Sequence, residues 1–265
     1  MEIFLQQIIN GLVQGSVYAL VALGYTMVYG ILGLINFAHG EVVMVGAMVA
    51  LAAIQVLLAA AFSPLLVLLL SVLLAVAVCM ALGYSIERIA YRPLRHAPRL
   101  APLITAIGVS FVLQNLAMII WGREYHSFPQ LLPNASHQLG GAIITQVPIA
   151  LLIVPILVMT GRMLRSPNSA RRTAFSAVAE NQQAASLMGV NINKVISTTF
   201  MLGSALAAIA GIMVSANYGV VHYYMGFMLG LKAFTAAVLG GIGNLRGAML
   251  GGVLLGLIES LGAGY

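Results

Sequence analysis

Charge is what this sequence has least of. Only 7% of its 265 residues are Asp, Glu, Lys or Arg, and none of the six acidic residues is aspartate. Soluble domains carry about 25% charged residues. This scarcity, with 61% hydrophobic residues and a mean hydropathy of +1.03, excludes a water-soluble fold. Cysteine is nearly absent too. Cys79 stands alone inside an apolar run, so no internal disulfide can form, and it reads as a small packing residue. There is no basic or acidic tract of the kind that grips nucleic acid, and no G-x-x-x-x-G-K-[ST] phosphate loop, H-E-x-x-H pair or cysteine–histidine metal spacing. Ser204 and the distant His222 are the nearest approach to a hydrolase pair, and packing explains Gly203-Ser204-Ala205 better. These absences leave no catalytic residue, no cofactor-binding residue and no metal ligand: the chain reads as a non-enzyme.

What is present is apolar length. A bilayer core of ~30 Å takes about 20 apolar residues per helix, and the candidate segments are 3–30, 38–61, 64–86, 101–121, 146–164, 195–217, 226–243 and 246–262. The expected fold is therefore all-α: one polytopic membrane domain over 1–265, with about eight transmembrane or half-spanning helices. The first 22 residues lack a basic start and their apolar character runs on, so they are read as a retained span rather than a cleaved signal. That span carries Gly11, Gly15, Gly24 and Gly30 and is expected to be broken or strongly tilted.

Nine of the 12 Lys and Arg residues lie in two connections, Arg88–Arg99 and Arg162–Lys194. Two spans separate these connections, so they share a side, and the positive-inside rule makes that side the cytoplasm. The connection 122–145, with Arg123 against Glu124, belongs outside, as does the N-terminus.

Within 28–46, VYGILGLINFAHGEVVMVG, the polar residues Asn36, His39 and Glu41 occupy a stretch that lipid would otherwise claim. Two readings stay open. It is the cytoplasmic turn between two spans, with His39 and Glu41 wetted at its edge, or a discontinuous helix whose free ends line a substrate path. Near the C-terminus Asn244 precedes Arg246 and Gly247 much as Asn36 precedes His39 and Gly40, a weak hint of an internal repeat. Lys232 reads as snorkelling to the interface, and Glu259 as a boundary residue near the outer end of the last helix.

The one long polar stretch that still has a folded pattern is 170–194, ARRTAFSAVAENQQAASLMGVNINK. Ala177, Ala184, Ala185, Leu187 and Met188 are available for one helix face. Gly189 suits a left-handed helix end, and Asn191 and Asn193 suit the turn that follows. A short amphipathic helix between two spans is expected to be a docking point for a partner.

Four ordered runs carry a family resemblance across nearly the whole chain: GYTMVYGILGLINFAHGEVVMVGA (24–47), SIERIAYRPLR (85–95), AENQQAASLMGVN (179–191) and MGFMLGLKAFTAAVLGGIGNLRGAMLGG (225–252). The chain resembles the permeases of branched-chain amino acid ABC importers of the LivH branch. The resemblance implies a multi-pass bacterial inner-membrane subunit, embedded in membrane lipid and paired with a related second permease. It also implies two ATPase subunits inside, which would carry the ATP and Mg, and a substrate-binding protein outside that delivers the amino acid. By position, Glu180, Ala184, Ala185, Leu187, Gly189 and Asn191 resemble the family's cytoplasmic coupling loop, here about 165–194. Tyr25, Asn36, Phe37, His39 and Asn244 are the residues expected along the translocation path. Residues 165–180 depart from the family's usual compact run, and relatives usually continue past residue 265 through another apolar span. An ion-coupled secondary transporter of small amino acids or amides is the rival reading, and it lacks the buried carboxylate relay such coupling needs.

Overall fold

The computed structural model describes residues 2–95, 97–98, 100–131, 136–139, 142–145, 153 and 170–265. Nine α-helices account for most of these: α1 (Glu2–Leu32), α2 (His39–Ala59), α3 (Pro64–Ile86), α4 (Leu100–Trp121), α5 (Ala170–Glu180), α6 (Gln182–Leu187), α7 (Ile192–Tyr218), α8 (Met225–Leu239) and α9 (Leu245–Gly264). Six of the helices are long and apolar enough to cross a membrane, and α8 is a shorter apolar helix. The span expected at 146–164 lies outside the described residues.

Local chemistry accounts for the helix ends. Pro64 opens α3, where its missing N–H costs nothing. Gly219, with φ of +69°, closes α7 as a left-handed cap no branched residue would adopt cheaply. The α3 helix runs on through a π-helical turn, Glu87–Tyr91, and a 3-10 turn, Arg92–Leu94. Of the two outcomes expected for the first helix, the break does not occur: despite four glycines, α1 is unbroken over 31 residues, about ten more than a ~30 Å core requires, a length that suits a tilted span.

Those glycines serve contact instead of flexibility. Among the described residues the most extensive packing is between α1 and α9, which run antiparallel. A Cβ on Gly15 would sit 2.7 Å from the Val253 Cα, and one on Gly11 would sit 2.9 Å from the Leu257 Cα. On the facing helix, Cβ atoms on Gly252 and Gly256 would collide with the backbones of Ala19 and Gly15. Small residues every fourth position let two backbones meet where hydrophobicity offers no drive between helices. The same device joins α2 to α8, where Gly40 meets Gly226 and Gly230, and α2 to α7, where Gly46 meets Ala208.

The core is centred on α1, α2 and α7. Around it, α3, α4 and α9 turn outward faces bearing Leu65, Leu69 and Leu73, Ile104, Phe111 and Ile119, and Leu250, Leu254 and Ile258, the apolar surface lipid accepts. At one end, β1 (His126–Ser127) pairs antiparallel with β4 (Val220–Val221). A second two-stranded pair is formed by β2 (Ser136–Leu139) and β3 (Ala142–Thr145), also antiparallel.

At the opposite end, Glu87 is fully buried and draws the two basic connections together. Its carboxylate accepts hydrogen bonds from Arg92 Nη2 at 2.8 Å and Ser197 Oγ at 2.7 Å, and pairs with Arg95. Arg95 in turn donates to Asn193 Oδ1 at 2.5 Å. The end of α3 is thereby bolted to the start of α7, and the described parts of both basic connections lie at one end of the bundle.

Two outcomes test this packing. Gly256→Ala should destabilise the isolated subunit by ~1–3 kcal/mol through overpacking against backbone that cannot yield. Gly262→Ala, at a glycine with open space around it, should be neutral or slightly stabilising, as judged by thermal unfolding in detergent. Glu87→Gln leaves two guanidiniums unpaired and should cost about 2–3 kcal/mol, discounted from the usual ~3–5 because Arg92 is partly solvated; the same unfolding assay reads it.

Candidate functional site: a closed midsection between two cavities

Chain geometry at residues 33–41 matches neither of the two readings of the polar break in full. The α1 helix ends at Leu32, and Gly33, at φ of +64°, turns the chain back. Asn36 then organises the return: its side chain accepts from the Ala38 N–H at 3.1 Å and its carbonyl accepts from the His39 N–H at 3.0 Å. The α2 helix starts not at the bundle's edge but beside Gly24, where a Cβ would strike the His39 ring. Gly24 is eight residues before the end of α1, or ~12 Å along the axis. His39 and Glu41 are each 1% exposed. They are not wetted at a membrane edge, and no span is interrupted. Instead, a re-entrant loop carries the start of α2 into the interior.

A compact aromatic and polar cluster forms around that start. Tyr25 lies edge-on to His39 with ring centroids 4.8 Å apart, and Phe234 of α8 tilts against both Tyr25, at 6.3 Å, and Phe37, at 5.6 Å. Tyr91, from the π-helical turn, reaches Asn36 Oδ1 at 3.1 Å while its ring packs on Phe200. One turn deeper, Glu41 Oε1 accepts from Ser110 Oγ at 3.1 Å and Gln114 Nε2 at 2.6 Å, both on α4. Its Oε2 has no hydrogen-bond partner and lies against Gly226.

Tyr25, Asn36, Phe37 and His39 thus come together at one level. Asn244 does not join them: it is exposed and caps α9, accepting from the N–H groups of Arg246 and Gly247. The two asparagine breaks share a positive-φ glycine before the asparagine, but only Asn244 caps its helix; Asn36 bonds to the Ala38 N–H in the turn before α2, whose cap is Ala38. They differ in depth. Phe234, Tyr91 and Gln114 are members that sequence reasoning missed. Each is an unremarkable residue in an apolar run, and nothing short of the fold marks it.

Cavities lie above and below this cluster along α1. One, of ≈510 Å³, is bounded by Tyr29–Gly33, Gly243 and the junction of α5 with α6. The other, of ≈250 Å³, lies at the end of the bundle that holds the β1–β4 pair, bounded in part by Val17 and Tyr18. Val17, Val21, Tyr25 and Tyr29 recur every fourth residue and so share one face of α1. That face runs from one cavity, through the closed midsection, to the other.

The polar stretch at 170–194 is two helices rather than one. Asn181 breaks it, accepting from the Ala184 N–H at 3.0 Å to cap α6. At the far end the Gly189 and Val190 N–H groups bond back to Ser186 and Ala185, with Gly189 at φ of +81°, the left-handed close its glycine foretold. Asn191 then caps α7 through the Lys194 N–H. The apolar residues do not share a face. Ala185 and Val178 are buried against the bundle, while Leu187 and Met188 are 90% and 83% exposed. Glu180 and Ala184 are exposed as well. Gln182 donates to the Ile31 carbonyl at 3.1 Å, tying α6 to the last turn of α1.

No solved structure matches the chain. Sequence relatives are plentiful. The family described as branched-chain amino acid transport system / permease component matches residues 7–265. The high-affinity branched-chain amino acid transport system permease protein BraD of Pseudomonas aeruginosa is 47% identical over 265 residues, covering 98% of this chain and 86% of the relative. The corresponding permease protein LivH of Escherichia coli is 45% identical over 268 residues, covering 99% and 87%. More distantly, the autoinducer 2 import system permease protein LsrC of Klebsiella pneumoniae is 34% identical over 172 residues, 60% of this chain and 47% of the relative. With its spanning helices, its re-entrant core and this near full-length match, the chain belongs to the branched-chain amino acid transport system permease family and is a multi-pass protein of the bacterial inner membrane.

Proposed function

We propose that this chain is the translocating subunit of an ATP-driven importer that carries branched-chain or similar small amino acids into the cytoplasm. It moves the substrate but hydrolyses nothing. In this reading two ATPase subunits hold the ATP and Mg, a related second permease completes the membrane unit, and a soluble binding protein delivers substrate outside. The names of the relatives support the substrate class.

The observation that carries the coupling is the tip of α6. Leu187 and Met188 stand almost fully exposed on a six-residue helix that is capped at both ends and seated by Ala185. Large apolar side chains held rigidly in water suit a groove on a partner. The Gln182–Ile31 bond and the Asn191 cap connect that tip to α1 and α7, two helices that enclose the closed midsection. A pull on α6 would therefore act on both helices at once, and rocking them apart would open the Tyr25–His39 level to one cavity or the other. Glu180, Ala184 and Gly189 flank the tip and shape its approach.

In proteoliposomes holding the assembled complex, leucine uptake should require ATP. Leu187→Asp combined with Met188→Asp should cut it at least tenfold and release the ATPase from the co-purified complex, with the subunit's unfolding temperature unchanged. Uptake by this chain alone, driven by an ion gradient without ATP, would instead favour an ion-coupled transporter.

A further inference from the structure

The smaller cavity has a chemical character that the coupling account does not use. Its wall is apolar, made by Val17, Val214, Met225, Met228 and Leu229, and its roof is the stacked pair Tyr125 and His222, with centroids 4.3 Å apart. Against this wall stands one charged group, Lys232. Its Nζ pairs with Glu259 and lies 3.4 Å from the Tyr18 hydroxyl. Tyr18 is itself fixed, accepting from Gln14 Nε2 at 2.8 Å and donating to Glu259 Oε2 at 2.8 Å. Lys232 and Glu259 are therefore partners: residues from α1, α8 and α9 converge on one polar knot at the cavity's edge.

An ammonium has three N–H donors. Glu259 and Tyr18 occupy two of them. The third has no partner among the described residues and is open to a ligand, while the Gln14 amide is engaged by Tyr18 and Glu259. Glu259 does not line the cavity; it sits behind Lys232 and holds the cation in place. A visiting molecule thus meets a fixed positive charge at one side and a volume of ≈250 Å³ lined by branched and sulfur-bearing side chains at the other. This is below the ~300–1,000 Å³ of drug-sized pockets and suits a small solute. The Tyr18 face already carries the Lys232 ammonium, 5.8 Å from its centroid, which leaves the Tyr125 ring for a cationic group.

We propose that this cavity is a carboxylate-reading subsite for a small apolar α-amino acid. Lys232 would receive the carboxylate, the wall formed by Val17, Val214, Met228 and Leu229 the branched tail, and the Tyr125 ring the ammonium. The assignment rests on the importer reading, and it makes the subsite the first stop inside the permease, before the closed Tyr25–His39 level. Molecules that keep the tail but lose the carboxylate bind more weakly, because they lack the anionic group that makes a charge-assisted hydrogen bond to Lys232.

The test is photolabelling of the intact complex in nanodiscs with photo-leucine, a diazirine analogue, read by peptide mass spectrometry and run beside ATP-dependent leucine uptake. Labels are expected on the Val17–Tyr18 and Met225–Leu229 peptides. Excess leucine should displace them; leucinamide, which lacks the carboxylate, should do so more weakly. Lys232→Met should reduce this labelling at least tenfold. Because that variant also strands Glu259, the double variant Lys232→Met with Glu259→Met is the control. It removes both charges, so it should restore the unfolding temperature but not the labelling. Recovery of labelling in the double variant would show that Lys232 serves only the pair and would overturn the proposal. So would competition by leucinamide equal to that by leucine, or labelling confined to other peptides while uptake proceeds. Cavity labelling without any ATP-dependent uptake would uphold the subsite and sink the importer reading instead.

Discussion

Helix backbones in this protein touch, and they touch at glycine. Where Gly24 meets the His39 ring, Gly40 meets Gly226 and Gly230, and Gly15 meets Val253 and Gly256, there is no room for a single extra carbon. Lipid offers no hydrophobic drive for helices to associate, so contact depends on dispersion, which needs atoms within a few tenths of an ångström of their optimum. The seams supply that contact, and they also fix the path of the chain. Only because Gly24 lacks a side chain can the start of α2 enter the bundle beside it, and that entry places Asn36, His39 and Glu41 in the interior. The closed level between the cavities is a consequence of where glycines fall on α1, α2 and α8.

Polar groups in such an interior must be few and held. Three of the six acidic residues lie within spans, and each is tied to a different helix. Glu41 joins α2 to α4 through Ser110 and Gln114, Glu87 joins α3 to α7 through Ser197, and Glu259 joins α9 to α8 and α1 through Lys232 and Tyr18. Removing a charge from water is expensive, and only well-formed partners offset the cost. These three carboxylates therefore act as fixed points between helices whose other contacts are apolar and easily slid. The Glu87 knot lies next to α5 and α6 and the Glu259 knot beside the smaller cavity. Between them Glu41 keeps one oxygen without a hydrogen-bond partner against the glycine seam, at the level closed between the two cavities.

Much of this was legible in the sequence, for reasons that also mark its limit. Long apolar runs announce spans whatever the fold, so the bounds of α2, α4, α7 and α9 fall within a few residues of those expected. Gly189 and Asn191 specified their turn because each makes a local, self-contained bond. Asn181 does the same, yet it was absorbed into the helical pattern around it, and the two-helix form of the coupling stretch was missed. Helix faces were harder to read. In a helix apolar on all sides, hydrophobic periodicity carries no information about which side is buried, so Phe234, Tyr91 and Phe200 gave no sign of meeting the re-entrant loop. Lys232 and Glu259, 27 residues apart on different helices, were read singly as a snorkelling cation and a boundary acid. Only the α8–α9 hairpin makes them partners. Glycines on α1 were visible but misread as weak points, because the sequence shows their spacing and not the backbone of α9 lying against them.

The central claim is that one face of α1 connects two cavities through a level closed to both. Cys79 is buried, which permits single-cysteine probes on that face in the assembled complex without nucleotide: Val17→Cys, Val21→Cys and Tyr29→Cys, treated with a membrane-impermeant maleimide from either side. The account expects Val17→Cys to react only from outside, Tyr29→Cys only from the cytoplasm, and Val21→Cys from neither. Rapid labelling of Val21→Cys at rest, or of Val17→Cys from the cytoplasmic side, would contradict it.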